Sequence, residues 1–182
     1  TNGISSLPYK QGFENTIGNW IQSTNDNLNW TVDANGTPSR NTGPSNAAQG
    51  TYYLYIEASG SGFPRKRAII TSPCLDLTNI NQASFAFKYH MYGASSMGSL
   101  HLEISKDGGT TWTSIWNKSG NQGNSWKSAT IDLGSYIGSG VQLRFNGLTG
   151  NTWQSDIAID DVVLSSNTTC LLYTSDAADE CH

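Results

Sequence analysis

The last strand-like segment of the chain contains two adjacent acids where a hydrophobic strand is expected. Residues 155–164 read SDIAIDDVVL, in which Asp160 and Asp161 interrupt an apolar alternation. Because successive side chains of a strand point to opposite faces, one of these carboxylates must point toward the core whichever face is buried. A buried carboxylate is costly unless it is paired or binds a metal ion. The segment therefore suggests a structural cation.

A third acid lies near the start of the chain. Glu14 belongs to the first strand-like segment, QGFEN, so an all-β domain that joins its first and last strands would gather Glu14, Asp160 and Asp161 at one rim. Asp26 and Glu57 are candidates for further ligands, with loop carbonyls completing the shell. Oxygen ligands favour calcium, which takes about 6–8 of them, whereas zinc would need His or thiolate ligands. The alternative is that these acids pair with Arg or Lys, or lie in water.

None of the remaining candidate residues predicts catalysis. His90 and His101 could form a two-ligand metal site, but such a site is incomplete, and we interpret both as surface residues. Cys74 lacks a His and an acid at a spacing typical of a nucleophile. Residues 105–112, SKDGGTTW, fit the Asp-box pattern S-x-D-x-G-x-T-W, in which Asp107 would hold a hairpin turn. The sequence thus favours a binding module over an enzyme.

The composition is that of a turn-rich domain with a nearly neutral surface. Only 13% of the 182 residues are charged, and 19 are glycine. This length is enough for one β-sandwich with a full core. No apolar run approaches the ~20 residues of a transmembrane helix. The composition therefore predicts one short-stranded domain without a transmembrane segment.

We expect neither end of the chain to belong to this domain. Residues 1–10 have the composition of a linker and suggest a fragment of a longer protein. Residues 170–180, CLLYTSDAADE, resemble the translated read-through of a transposase-type sequencing adapter, the alternative being a natural polar tail. The chain is thus predicted to comprise a linker over 1–10, one domain over 11–166 and a non-native or disordered tail over 167–182.

Setting the tail aside changes the charge and the cysteine count. It contains Asp176, Asp179 and Glu180, so the formal net charge goes from −4 to about −1. Cys74 is then the one cysteine left of three, and no internal disulfide can form. A charge near zero without a basic run argues against nucleic acid as a partner.

Strand signals recur along the chain, whereas helical periodicity is nearly absent. Segments rich in β-branched and aromatic residues are bounded by Gly, Asn, Ser and Asp clusters. They cover 51–59, 67–72, 83–93, 99–107, 111–117, 125–133, 141–147 and 156–164. This spacing indicates a sandwich or a barrel.

Two consecutive segments can be aligned as a hairpin. One register places Phe87 opposite Ile104 on an apolar face and Lys88 opposite Glu103 on a polar face. Agreement between the two faces supports that register. We therefore expect Phe87 and Ile104 to be buried, and Lys88 and Glu103 to form an exposed ion pair.

Taken in order, these segments resemble a MAM domain, the adhesion module named for meprin, A5 antigen and a receptor tyrosine phosphatase. The resemblance covers about 13–164. It is carried by GFE, GNW, NLNW, GTYYLYIEAS, AIITSPCLDL, FKYHMYG, GSLHLEIS, WNKSGNQGNSW, QLRFNGLTG and DIAIDDVVL. The resemblance implies a jelly-roll β-sandwich of two antiparallel sheets and a structural cation near Glu14 and Asp160/Asp161. Animal members usually carry paired cysteines, so the lone Cys74 suggests a bacterial branch.

The resemblance also implies a function. It predicts a non-catalytic binding or adhesion module, secreted or at the cell surface, and an accessory domain of a larger protein. The expected partners are cell-surface or extracellular proteins or glycans, together with linked domains of the parent protein. The six tryptophans and the alternating Tyr53 and Tyr55 leave a carbohydrate-binding module of a secreted enzyme as the alternative. A sialidase-like or protease fragment is a third class, which turnover by the chain would support.

Overall fold

The computed structural model of the protein describes residues 3–166, which form twelve β-strands and a short 3-10 helix at Gly134–Tyr136. The strands are β1 (Tyr9–Gln11), β2 (Ile21–Gln22), β3 (Thr31–Asp33), β4 (Tyr53–Ile56), β5 (Arg67–Thr71), β6 (Leu75–Asp76), β7 (Ser84–Met91), β8 (Gly98–Ser105), β9 (Thr113–Ser119), β10 (Lys127–Asp132), β11 (Gly140–Thr149) and β12 (Ile157–Ser165). Within residues 3–166, no helix is long and apolar enough to cross a membrane.

The strands form two sheets, each with antiparallel neighbours. The first sheet has the order β10-β7-β12-β4-β3, with β1 also paired to β12. The second has the order β2-β5-β11-β8-β9, with β6 also paired to β11. The prediction of an all-β jelly-roll β-sandwich of two antiparallel sheets is confirmed.

Apolar side chains of both sheets form the main core between them. Phe85, Phe87 and Tyr89 alternate along β7 toward this core, as the two-residue period of a strand requires. The ring centroid of Phe87 lies 5.0 Å from that of Phe145 in β11 and 4.9 Å from that of Trp116 in β9, both edge to face. Such aromatic pairs add to the stabilisation by area burial, so Phe87 links the two sheets.

The predicted hairpin between the segments now seen as β7 and β8 is wrong, because these strands lie in different sheets. β7 pairs with β10 and β12, whereas β8 pairs with β9 and β11. Lys88 and Glu103 therefore do not face each other. Lys88 Nζ donates to Ser128 Oγ at 2.6 Å, and Glu103 Oε1 accepts from Arg144 Nε at 2.8 Å.

The error has a simple physical cause. Phe87 and Ile104 are both buried, as expected. However, an apolar alternation occurs in any strand with one buried face, so it identifies the core face but not the neighbouring strand. Residues 92–97 carry the chain from one sheet to the other instead of closing a hairpin.

A β-bulge in β12 explains how this strand carries two adjacent acids without directing a carboxylate into the apolar core. The pairing of β12 with β7 shifts register between Asp160 and Val163, and Asp161 has a φ of 52°. A bulge inserts one residue into a strand and so reverses the face that each following side chain occupies. The regular alternation assumed over 155–164 is therefore wrong from Asp161 onward.

The bulge allows both halves of β12 to contribute to the core. Ile157 and Ile159 before the bulge, and Val162 and Leu164 after it, are fully buried in the main core. Asp160 points instead to the outer face of the first sheet, which is the face turned away from the second sheet. No carboxylate of this strand has to enter the apolar core.

The domain begins before residue 11. Tyr9 and Lys10, which the sequence assigned to a linker, belong to β1 and pair with β12. Ile4 forms an isolated bridge with Leu75. A three-residue strand carries too little periodicity to be recognised from sequence. The predicted tail over 167–182 lies outside the described residues.

The bulge can be tested at Asp161. A residue with a Cβ in the left-handed region costs about 1–2 kcal/mol relative to glycine, and a β-branched residue fits it worst. We therefore expect Asp161→Val to be less stable than Asp161→Gly by at least about 1 kcal/mol in urea unfolding with chelator present. Both variants lose the carboxylate, so the difference isolates the backbone. A regular strand would give the opposite order, because Val is favoured and Gly disfavoured there.

Candidate functional site

The outer face of the first sheet is covered by the segment between β3 and β4. Residues 34–52, here called the covering loop, lie over it. Tyr53, Tyr55 and Ala158 on this face form a second buried cluster, against which Ala47 of the covering loop packs. The covering loop thus excludes water from a sheet face that a two-layer sandwich would otherwise expose.

Hydrogen bonds hold the covering loop against the sheet. The Thr42 hydroxyl accepts from the backbone N–H of Asp156 at 2.9 Å and donates to the carbonyl of Tyr92 at 2.8 Å. Further along, Trp126 Nε1 donates to the carbonyl of Asn46 at 2.8 Å. These side chains fix the path of a loop that has no regular secondary structure.

Asp160 provides the central anchor of the covering loop. Its Oδ2 accepts hydrogen bonds from the backbone N–H groups of Ala48 and Gln49, both at 2.9 Å, and its Oδ1 accepts from Asp161 N at 2.7 Å. The side chain is fully buried. Burial raises its pKa to about 6, against the opposing effect of the three N–H donors. This carboxylate therefore ties the bulge of β12 to the loop.

Glu14 holds the same segment of the covering loop from the other side. Its two carboxylate oxygens accept from Thr51 N at 3.1 and 3.0 Å, and Oε1 also accepts from Tyr52 N at 3.2 Å. Unlike Asp160, Glu14 is exposed. The acids near the two ends of the domain thus meet at one short segment, residues 48–52.

The two further candidate ligands lie elsewhere. Asp26 Oδ2 accepts from Ile69 N at 2.6 Å at the edge of the second sheet, where burial raises the pKa of the carboxyl group. Glu57 follows β4, and its Oε1 accepts from Ser59 N at 2.9 Å and from Ser39 Oγ at 3.2 Å. Asp26 thus lies against the second sheet, and Glu57 contacts another part of the covering loop, so the five candidates do not form one site.

The donor set around Glu14 and Asp160 fits a backbone clamp better than a metal site. The groups that face the two carboxylates are N–H groups, which repel a cation, and no buried oxygen of Asp160 lacks a partner. Among residues 3–166, no three or more His, Cys, Asp or Glu side chains are grouped closely enough to hold a metal ion. Calcium at Glu14, Asp160 and Asp161 stays a prediction.

The two histidines are not neighbours. His90 lies on the outer face of the first sheet, where its Nε2 is 3.1 Å from Asn124 Oδ1. Its interpretation as a surface residue is wrong, because it is 2% exposed, and burial lowers its pKa to about 4. His101 lies in the second sheet, with Nδ1 2.9 Å from Ser114 Oγ. Their separation into two sheets excludes a metal site built on this pair.

One buried acid, Asp156, was not among the site residues predicted from the sequence. It is fully buried, Oδ1 accepts from Ala58 N at 2.9 Å, and Oδ2 has no hydrogen-bond partner. Alternation from Asp160 back through Ala158 places Asp156 on the same outer face. That spacing was present in the sequence and could have identified it.

The turn between β8 and β9 is organised by the Asp-box residues. Asp107 Oδ1 accepts from Thr111 N at 2.9 Å, and Gly109 N donates to Ser105 Oγ at 2.9 Å. Trp112 Nε1 donates to the carbonyl of Gly109 at 3.1 Å, which fixes its indole ring. Asp107 thus positions this turn.

The outer face of the second sheet carries a network of polar side chains around the buried Asn146. Glu103 Oε1 accepts from Arg144 Nε at 2.8 Å and from Asn146 Nδ2 at 3.0 Å, and Asn146 Oδ1 accepts from Arg67 at 2.6 Å. The Arg144 guanidinium lies 4.2 Å from the ring centroid of Trp112. We call these five side chains the open polar face. Their mutual bonds fix them before any partner binds.

The role of Asp160 as an anchor can be measured. Asp160→Asn places an amide group opposite N–H donors and removes a charged acceptor, so we expect a loss of about 1–3 kcal/mol in unfolding free energy. Glu14→Gln is the matched control and should cost less than about 1 kcal/mol, because that side chain is exposed. In hydrogen exchange, the amides of Ala48 and Gln49 should become faster only in Asp160→Asn. Equal losses in the two variants would contradict the anchor.

Comparisons with known proteins agree with this architecture. A family model described as MAM domain, meprin/A5/mu matches residues 12–171. MAM domain-containing glycosylphosphatidylinositol anchor protein 1 of Rattus norvegicus is 38% identical over 159 residues, covering 81% of the chain and 16% of that protein. Anchor protein 2 of Mus musculus is 34% identical over 170 residues, covering 85% of the chain and 18% of that protein.

Solved structures share the fold at low sequence identity. The K1 cleaved adhesin domain of Lys-gingipain from Porphyromonas gingivalis has a TM-score of 0.63 and 17% identity, over 89% of this chain and 99% of that one. TmCBM61, solved in complex with β-1,4-galactotriose, has a TM-score of 0.58 and 19% identity, over 86% of this chain and 94% of that one. These similarities concern the β-sandwich alone. The match of the family model and the identity to the curated relatives show that the chain belongs to the MAM domain family.

Proposed function

We propose that the chain is a non-catalytic extracellular binding or adhesion module that recognises a protein at the cell surface or in the extracellular space. The observation that carries the proposal is the open polar face, which remains accessible while the covering loop closes the other outer face. The predicted secreted or cell-surface location is confirmed by the relatives, which are named as glycosylphosphatidylinositol anchor proteins.

The open polar face suits recognition because its side chains are already ordered. In the salt bridge between Arg144 and Glu103, the side chains are 22% and 15% exposed. Ordering flexible side chains on binding costs about 0.5–1.5 kcal/mol each, and this network has met much of that cost on folding. Arg and Trp are also enriched among residues that dominate binding energy.

The module is proposed to act within a larger protein. The chain spans 16–18% of the length of the curated relatives described above. This proportion supports an accessory role beside linked domains. The predicted membership of a bacterial branch of the family finds no support in these relatives, which are vertebrate proteins, and stays a prediction.

A carbohydrate-binding module is the second candidate. It is supported by the shared fold with TmCBM61. The expected aromatic platform is weakened, however, because Tyr53 and Tyr55 are buried beneath the covering loop, and Arg144 covers one face of Trp112. Trp153, 40% exposed, is the large aromatic that remains available for stacking among the described residues.

A cell-binding assay tests the proposed surface. Fluorescently labelled full chain would be titrated onto cell monolayers, and the double variant Arg67→Gln, Arg144→Gln compared with wild type. We expect at least about tenfold weaker binding, because two central polar contacts are lost. The control, Lys10→Gln with Lys127→Gln, removes the same charge from strands of the first sheet and should bind as wild type. Equal binding by all three proteins would contradict the proposed surface.

The same assay separates protein from glycan. Treating the cells with protease should abolish binding, whereas treating them with glycosidases should leave it unchanged. The carbohydrate-binding module would be favoured if glycosidases abolished binding and protease did not. It would also require that the chain bind β-1,4-linked galactose oligosaccharides and that Trp153→Ala abolish this binding.

A further inference from the structure

The open polar face continues into a cavity at one end of the second sheet. Directly opposite residues of β5, β11, β8 and β9 form one row across this outer face: Arg67, Leu148, Ser99 and Ser119. The last three of these residues also line a cavity of about 380 Å³. Because Arg67 belongs to the open polar face, the cavity and that face are parts of one continuous surface.

Arg65 supplies the positive charge of this cavity. Its side chain is exposed and lines the cavity, and its backbone N–H donates to the carbonyl of Gly150 at 3.0 Å. None of the described residues that line the cavity is acidic. Within residues 3–166, the one salt bridge joins Arg144 to Glu103. The guanidinium of Arg65 therefore meets no carboxylate of the described part of the domain.

The backbone of Arg65 has a conformation that favours glycine. Its φ is 51°, which lies in the left-handed region, where a residue with a Cβ is less stable than glycine. Residues held in such conformations concentrate at binding and active sites, where the surrounding structure maintains them. The presence of arginine here, at a cost in stability, indicates that its side chain has a function.

Hydrogen-bond donors surround the charge of Arg65. Ser95 and Ser96 are the central residues of a turn that is closed by a bond of 3.1 Å from Met97 N to the carbonyl of Ala94. Both serines are exposed and line the cavity. The bond that closes the turn uses neither of their N–H groups, and their hydroxyls can donate as well. N–H and O–H donors beside a guanidinium suit an anion.

Close backbone contacts fix the floor of the cavity. A Cβ on Gly150 would collide with the carbonyl of Ser96, and a Cβ on Gly98 would collide with the carbonyl of Leu148. These chain segments approach each other as closely as only glycine permits. The donors are therefore held in place before binding, which lowers the entropic cost of recognition.

We propose that the partner protein of the open polar face presents an acidic segment, and that one of its Asp or Glu carboxylates enters the cavity and binds Arg65. This inference rests on the proposed function, whose partner it defines by charge. The open polar face and the cavity lining together contain three arginines, Arg65, Arg67 and Arg144, and one acid, Glu103. Glu103 already accepts from Arg144. The surface thus has an excess of positive charge, and an acidic segment is its electrostatic complement.

A titration of the full chain with a fluorescent oligo-glutamate peptide tests the charge of the site. Anisotropy should show binding to the wild type that weakens as salt is added, because exposed charges are screened. Arg65→Gln should bind the peptide about two- to fivefold more weakly, the range for a partly exposed ion pair. Arg40→Gln is the matched control, since Arg40 is exposed on the covering loop, and should bind as wild type. Wild-type affinity in Arg65→Gln, or no binding to the wild type, would overturn the inference.

Arg65→Gly separates binding from stability. Glycine adopts a φ of 51° without strain, so this variant should melt at the same temperature as the wild type or higher. It should nevertheless bind the peptide as weakly as Arg65→Gln does. Weaker binding accompanied by a lower melting temperature in both variants would assign Arg65 a structural role and overturn the inference.

The cell-binding assay distinguishes this inference from the proposed function. Arg65→Gln should bind cells more weakly than Arg40→Gln. If the double variant Arg67→Gln, Arg144→Gln loses cell binding and Arg65→Gln keeps all of it, the proposed function stands and the inferred partner is wrong. Equal cell binding by every variant would overturn the proposed function, and the inferred partner with it.

Competition identifies the source of the carboxylate. Unlabelled oligo-glutamate should displace the chain from cells, as expected for an acidic protein segment. Displacement by polygalacturonate, a carboxylate polysaccharide, without displacement by oligo-glutamate would assign the cavity to an acidic glycan and overturn the inference.

Discussion

The buried carboxylate of Asp160 is the interaction on which the arrangement of the first sheet depends. It accepts hydrogen bonds from N–H groups of both the β12 bulge and the covering loop. Without the bulge, Val162 and Leu164 would leave the core, and without the loop, Tyr53 and Tyr55 would be exposed. The side chain of Asp160 therefore links two features: the bulge, which sets the core-facing residues of β12, and the covering loop, which closes the outer face of the first sheet. The open polar face of the second sheet remains accessible because this closure is local to the first.

The sequence predicts the strands well and their partners poorly, for a physical reason. Alternation records which side of a strand is buried, and Phe87 and Ile104 are buried as expected. It does not record which strand lies alongside, because that is decided by how the whole sandwich closes. The bulge at Asp161 was equally hidden, since a single residue with positive φ leaves no periodic trace apart from an acid in an apolar strand.

The candidate site was predicted in part. Glu14 and Asp160 do meet at one segment, because the first and last strands are neighbours in this sheet. The sequence does not indicate which groups face these two carboxylates. They are backbone N–H groups of a loop without regular secondary structure. Asp156 was not predicted because it precedes a strand, whereas Asp160 and Asp161 interrupt one.

The pairing of β1 with the second half of β12 has a mechanical consequence. Tyr9 lies opposite Leu164, so in a longer protein the chain would enter and leave the domain at neighbouring points, and the module would project sideways from its carrier. A pull on the two ends would load the bonds between β1 and β12 one pair after another, as in opening a zipper, since these strands are antiparallel. Only three residue pairs resist this. Once the bridge between Ile4 and Leu75 opens, tension would detach β1 and then pull on the segment that carries Glu14, so the contacts of Glu14 with the covering loop would be the next to break.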